Sequence, residues 1–164
     1  MKSKSISLKW SEFDSIVKLN QPDRELVIAA RKAAENAYAP YSGFQVGAAV
    51  RLENGLIVTG ANIENAAFPS GICAERNALS NSASNYPDKK PVAIAIAART
   101  KNGLTLDPVP PCGNCRQVIV EEEFRNSGDI RVILSGKSKI QVIEKGSDLL
   151  PLQFCRNNLN LNLP

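Results

Sequence analysis

Residues 91–99 run through Val, Ile and Ala almost without a polar break, the composition of a strand buried on both faces. Other segments carry clearer periods. Leu26, Ala29, Ala30, Ala33 and Ala37 recur at helical spacing in an Ala-, Arg-, Lys- and Glu-rich stretch after Pro22, predicting a helix over 23–37. The run Ala39-Pro40-Tyr41-Ser42-Gly43 then breaks it. Residues 46–52 and 56–61 are β-rich and flank Glu53-Asn54-Gly55. An Asn-Gly pair between two apolar runs predicts a hairpin closed by a type I′ turn, in which both residues take positive φ. Residues 62–71 show no period and predict a loop. Helical composition resumes over 72–84 and again over 113–124, separated by the buried strand and by a loop containing Pro108, Pro110 and Pro111. Two closing strands are expected at 130–134 and 140–143, around Gly136, and a last helical turn at 147–151.

The order is helix, hairpin, helix, central strand, helix and two strands. It predicts an α/β fold, a three-layer αβα sandwich with a mixed five-stranded sheet. Ahead of it, Ile6, Leu8 and Trp10 alternate with Ser and Lys, which fits either an added edge strand or a loose arm. The expected organisation is an N-terminal arm over 1–21, one domain over 22–155 and a C-terminal tail over 156–164. A chain of 164 residues, 43% hydrophobic and 22% charged, matches a single globular domain. The net charge of +4 is scattered, without the basic patch interleaved with aromatics that nucleic-acid binding calls for, so no nucleic-acid partner is expected. No run approaches the roughly 20 apolar residues of a membrane span, and the N-terminus lacks the apolar core of a secretory signal. No membrane association and a cytoplasmic location are therefore expected.

Composition contributes one sharp fact: the chain has no histidine. It has Cys112 and Cys115 in Pro111-Cys-Gly-Asn-Cys115, and Cys73 in Cys73-Ala74-Glu75. Three thiolates suffice for a tetrahedral zinc ion with one position open. A thioredoxin-type redox pair would leave Cys73 and Glu75 without a purpose, so metal is the better reading. Both cysteine segments fall at expected helix starts, where unpaired N–H groups and the helix dipole favour thiolates. Glu75 could then move protons for a water in the open position, a task that no histidine in this chain can take. Taken alone, Glu75 is also what the first turn of any helix favours. Three thiolates leave the site with a net charge of −1, so a nearby cation is expected. Arg76 and Arg116 adjoin the ligands in sequence; for Arg76 the charge-offsetting role is the better reading, while for Arg116 an ordinary surface ion pair fits equally well. Cys155 stands beyond Pro151 with no partner at ligand spacing and is expected to be free, leaving the zinc position open.

Cys-x-Glu followed by Pro-Cys-x-x-Cys is the signature of zinc-dependent deaminases in the form with three cysteine ligands. Longer runs sharpen the likeness. Residues 39–49, 62–76, 111–117 and 149–154 closely resemble, in order, the small homotetrameric cytidine deaminases, over about residues 22 to 155. That resemblance implies a cytidine deaminase-like fold and hydrolysis of cytidine and 2′-deoxycytidine to uridine and 2′-deoxyuridine with release of ammonia, as in pyrimidine salvage. It also implies one zinc per subunit on Cys73, Cys112 and Cys115, with Glu75 as the proton shuttle. Phe44 matches the phenylalanine packed on the cytosine ring. Asn62 and Glu64 match the pair bonded to the ribose 3′-hydroxyl, and Ala74 joins the substrate contacts. Arg76 looks like the arginine bonded to ligand sulfurs. Phe154 matches an aromatic that reaches the base in a neighbouring subunit, implying a homotetramer with composite sites.

The chain departs from its relatives at Phe68, where many have tyrosine, and at Asn77, where threonine is common. Two other functions fit part of the pattern. One is deamination of a different cytosine-containing compound, against which the Asn62-x-Glu64 pair speaks. The other is a non-catalytic module stabilised by closed, structural zinc.

Overall fold

The structure is a computed structural model and describes residues 1–159. The last five residues of the expected tail 156–164 lie outside the described residues.

Helix α1 (Gln21–Ala33) starts at Asn20, whose side chain accepts from the Asp23 N–H at 2.8 Å, with a proline in the first turn. A side-chain cap and an early proline are what a helix start favours. It begins two residues before the expected start and tightens into a 3-10 turn at Ala34–Asn36, so Ala37 lies beyond it. The expected hairpin is β2 (Gln45–Leu52) with β3 (Ile57–Ala61). Its turn differs from the expected type I′. Only Gly55 has positive φ (88°), while the Gly55 N–H donates to the Leu52 carbonyl and the Leu52 N–H to the Leu56 carbonyl. This is a three-residue loop in which glycine at the left-handed position forms a bulge, so Asn54 needs no positive φ.

Helix α2 (Ala74–Asn85) and the ten-residue strand β4 (Pro91–Thr100) follow, then the short β5 (Gly103–Leu104) and helix α3 (Gly113–Asn126). Strands β6 (Arg131–Ser135) and β7 (Ile140–Ile143) close the domain, with a 3-10 turn at Gly146–Leu149. Strand β1 (Ser11–Phe13) pairs antiparallel with β7 at the sheet edge. The order is β1-β7-β6-β4-β2-β3, with β5 on β4; only β4 and β6 run parallel, and α3 lies between them in the chain. The sheet thus has seven strands against the five expected. The two additions are three and two residues long, too short for any sequence period to show. The edge strand also forms after the alternating residues: Ile6, Leu8 and Trp10 are all exposed.

Alternation along β4 explains the layers. Ile94 and Ile96 enter the core shared with α2 and α3, while Ala93, Ala95 and Ala97 enter the core shared with α1. Small residues let α1 lie close. A Cβ on Gly47 would overlap the Ala30 carbonyl and the Ala34 N–H. On the opposite face a Cβ on Gly60 would overlap the Ala78 N–H and the Ala74 carbonyl. Gly60 therefore sets how closely α2, with Cys73 at its start, approaches the sheet. Asn77 adds a bond from Nδ2 to the Ala61 carbonyl at 3.0 Å, tying α2 to the end of β3.

Gly60→Ala is expected to destabilise the domain by about 1–3 kcal/mol, the usual range for overpacking. Thermal unfolding checks this, and an unchanged midpoint would mean that α2 does not need the close approach.

Candidate active site

Cys73 occupies the N-cap of α2 and Cys112 the N-cap of α3, and neither makes a side-chain capping bond. Caps are usually Ser, Thr, Asp or Asn, which turn an oxygen back onto the helix N–H groups. Here the thiols meet each other instead. Cys73 Sγ lies 4.0 Å from Cys112 Sγ, and Cys112 Sγ 3.5 Å from Cys115 Sγ, one turn into α3. All three sulfurs fall within 4.8 Å of one another. A tetrahedral zinc ion with bonds of about 2.3 Å sets neighbouring sulfurs about 3.8 Å apart, so the trio fits the ion as it stands. Cys155 bonds with Asn158 outside the trio, leaving three cysteines and one open coordination position.

The three thiols do not share one environment. Burial opposes ionisation of Cys112, but N–H groups from Cys115 and Asn114 and the neighbouring thiols bring its pKa below the ordinary cysteine value. Burial first, then neighbouring acidic groups, push Cys73 and Cys115 upward. The expectation that a helix start lowers every thiol therefore holds only for Cys112. Cys115 lies inside α3, fully buried, where desolvation first and then the Glu75 and neighbouring thiol charges oppose its ionisation. A dication reverses that balance, since a coordinating thiol is deprotonated outright.

Glu75 follows in the first turn of α2 and is buried, 5% exposed. Burial raises its carboxyl above the ordinary range, opposed by its own backbone N–H, Cys115 and the Arg76 charge. A carboxyl so placed is more readily protonated than an exposed one, which suits a group that both takes and gives a proton.

These groups open onto a cleft of about 770 Å³. Phe44, Asn62, Glu64, Cys73, Ala74, Glu75, Arg76 and Cys112 all line it, so residues spread over some seventy positions converge on one space. Ile72, Ile96, Val109 and Pro110 supply apolar wall. Phe154 does not line the cleft of its own chain; it is 59% exposed, and its carbonyl accepts from Gln117 Nε2 at 2.9 Å. Phe68 sits at the cleft in an edge-to-face pair with Tyr41, ring centroids 5.7 Å apart.

The two arginines differ. Arg76 donates to the Gly71 carbonyl at 3.1 Å, and its Nε–H is buried with no protein partner among the described residues. Arg116 holds the Pro111 carbonyl at 2.8 Å and the Leu149 carbonyl at 3.0 Å, bracing the loop that delivers Cys112. Its role is thus read from two backbone carbonyls.

The sugar-binding pair expected from the sequence is committed to the protein as well. Asn62 Oδ1 accepts from the Val46 N–H at 2.7 Å, and its Nδ2 donates to the Phe44 carbonyl at 3.0 Å, leaving one N–H free. Glu64 accepts from the Tyr41 and Ser42 N–H groups and from the Ser42 hydroxyl. Those donors, the Ser42 hydroxyl foremost, hold its carboxyl below the ordinary range. Sequence reasoning did not single out Ser42, although the Ser-Gly-Phe turn that places it was legible.

The model of the cytidine and deoxycytidylate deaminase zinc-binding region matches residues 20–127. A cytidine deaminase of Halalkalibacterium halodurans is 44% identical over 140 residues, covering 84% of this chain and 98% of that protein. One from Sporosarcina psychrophila is 45% identical over 137 residues, covering 83% of this chain and 93% of that protein. Among solved structures, the cytidine deaminase of Burkholderia pseudomallei superposes with a TM-score of 0.67 at 38% identity, covering 79% of this chain and 97% of that one.

The sulfur geometry leads to a direct expectation. The purified chain carries about one zinc per molecule, and Cys73→Ala, Cys112→Ala and Cys115→Ala each lose most of it, while Cys155→Ala keeps it. Elemental analysis of dialysed protein decides this, and zinc lost from Cys155→Ala alone would overturn the ligand set.

Proposed function

The chain belongs to the cytidine and deoxycytidylate deaminase family, and from that premise we propose how this cleft deaminates cytidine hydrolytically and which residues act. The carrying observation is the sulfur trio at zinc spacing beside buried Glu75, at the base of a cleft with apolar walls. Bound to the three cysteines, zinc supplies the Lewis acidity that makes water a nucleophile at neutral pH.

Glu75 takes the proton released by that water and gives it to N3 of the ring, which makes C4 electrophilic. Water oxygen bonds to C4, Glu75 takes the remaining hydroxyl proton and passes it to N4, and the C4–N4 bond breaks as the carbonyl forms, releasing ammonia. The products are uridine and ammonia. One carboxyl can serve both transfers because it lies buried beside the sulfur trio, and burial moves its pKa upward, toward the range that suits proton exchange. Phe44 offers a flat apolar wall to the ring, and Ala74 at the start of α2 lets the ring approach Glu75. Glu64 accepts from the ribose 3′-hydroxyl and the free N–H of Asn62 donates to it. Nothing in this arrangement requires a 2′-hydroxyl, so 2′-deoxycytidine is accepted too. Free nucleosides are favoured over strands, since a 3′-phosphate would meet the Glu64 charge. Arg76, which bonds the Gly71 carbonyl rather than a sulfur and lines the same cleft, would offset the charge of the trio through space.

The working unit in this reading is a homotetramer. Phe154 is exposed and anchored through Gln117, outside its own cleft, which suits an aromatic serving the site of a neighbouring copy. Four free thiols fit a reducing cytoplasm and a salvage role there. Among the described residues, no helix is long and apolar enough to cross a membrane.

Ultraviolet absorbance of cytidine mixed with zinc-loaded protein tests the chemistry. The cytidine band is expected to vanish with the parent chain, and Glu75→Gln to lower kcat by about 10²–10⁴-fold with zinc retained. Equal rates in the two proteins would remove Glu75 from the reaction. Light scattering should return the mass of four chains, and a monomer with full activity would end the composite-site reading.

A further inference from the structure

Ser42 sits in the exposed turn between α1 and β2, and its hydroxyl makes two bonds of opposite sense. It accepts from the Phe44 N–H at 3.0 Å and donates to Glu64 Oε1. The first bond orients the second. A hydroxyl has one proton, and with the Phe44 N–H occupying a lone pair, that proton is left to point at the carboxylate. Gly43, at φ +65°, bends the chain so that the Phe44 N–H returns to the Ser42 oxygen. The Tyr41 N–H then fixes Oε2 of the same carboxylate at 2.8 Å. Glu64 is therefore held in one orientation over the cleft by a three-residue turn, although the carboxylate itself is not deeply buried.

We propose that Ser42 is a positioning residue for sugar recognition, orienting the Glu64 carboxylate so that its remaining lone pair, on Oε1, faces the 3′-hydroxyl of the nucleoside. The inference rests on Glu64 being the ribose contact. Without the Ser42 hydroxyl, Glu64 keeps its charge and its backbone donors but loses the bond that sets its rotation. It must then be ordered at each binding event, a cost that falls on substrate binding. The chemical step at C4 is untouched, because Ser42 lies on the sugar side of the cleft and Glu75 moves the protons.

Steady-state kinetics of Ser42→Ala, Ser42→Thr, Glu64→Ala and the double variant Ser42→Ala/Glu64→Ala, on cytidine and on 3′-deoxycytidine, test this. Ser42→Ala is expected to raise KM for cytidine roughly tenfold, the worth of one bond to a charged group, with kcat within about twofold. The same variant should change KM for 3′-deoxycytidine by no more than about twofold, and Ser42→Thr should restore the parent value. In the Glu64→Ala background, Ser42→Ala should add nothing. A tenfold penalty that persists on 3′-deoxycytidine or in the Glu64→Ala background would overturn the role. That would make Ser42 a direct substrate contact or a general support of the loop. If Glu64→Ala itself treats the two substrates alike, the ribose reading of Glu64 fails and takes this role with it. If Glu64→Ala discriminates and Ser42→Ala does not, only the Ser42 role fails.

Discussion

Three sulfurs must sit within 4.8 Å of one another, and much of the domain answers to that requirement. Placed so close, thiolates repel, and for Cys73 and Cys115 burial adds to the repulsion. A cation among the sulfurs would offset that repulsion, so the fold has to bring two helix starts together accurately enough for an ion to bridge them. It does so by giving up ordinary caps. The N-cap positions of α2 and α3 are cysteines in place of the usual oxygen-bearing caps. The lost capping is of order 1 kcal/mol per helix, small beside the binding energy of a structural zinc.

Close packing then keeps the helix starts in place. Gly60 lets α2 lie against β3, and Asn77 ties it to the end of that strand. Arg116 draws the Pro111 carbonyl and the Leu149 carbonyl together around the start of α3. The alternation of Ile and Ala along β4 is the same economy seen from the sheet, with bulk facing the helices of the site and small side chains admitting α1 on the other side. The proposed proton shuttle and the proposed sugar contacts stand on different supports. Glu75 belongs to a helix, whereas Asn62 and Glu64 belong to a connection that also braces the turn carrying Phe44. Phe44, Asn62 and Glu64 are thereby joined in one hydrogen-bonded unit, and Ser42 lies at its junction.

Much of this could be read along the chain. The central strand, the hairpin strands, the three helices and the two closing strands follow from local period and breaker residues, because burial on one or both faces imposes its period on the sequence. Cys73, Glu75, Cys112 and Cys115 announced themselves by type and spacing in a chain without histidine. Other features depend on partners distant in sequence. Ser11–Phe13 becomes a strand only because β7 offers a free edge, while the better-patterned Ile6, Leu8 and Trp10 stay exposed. Asn54 avoids the left-handed conformation because Gly55 alone absorbs the turn.

Sequence by itself determined the chemical inventory and the layered fold, since residue types decide which ions and protons can be handled and short-range period decides which faces are buried. Tertiary structure alone decided the environment of each group: which thiol is eased toward ionisation, that burial raises the Glu75 carboxyl, that Arg116 braces a loop, and that Glu64 is already bonded by the turn beside it. The reason is physical. A pKa or a hydrogen bond depends on the solvent removed and the dipoles brought near by segments tens of residues away, and no local pattern carries that distance.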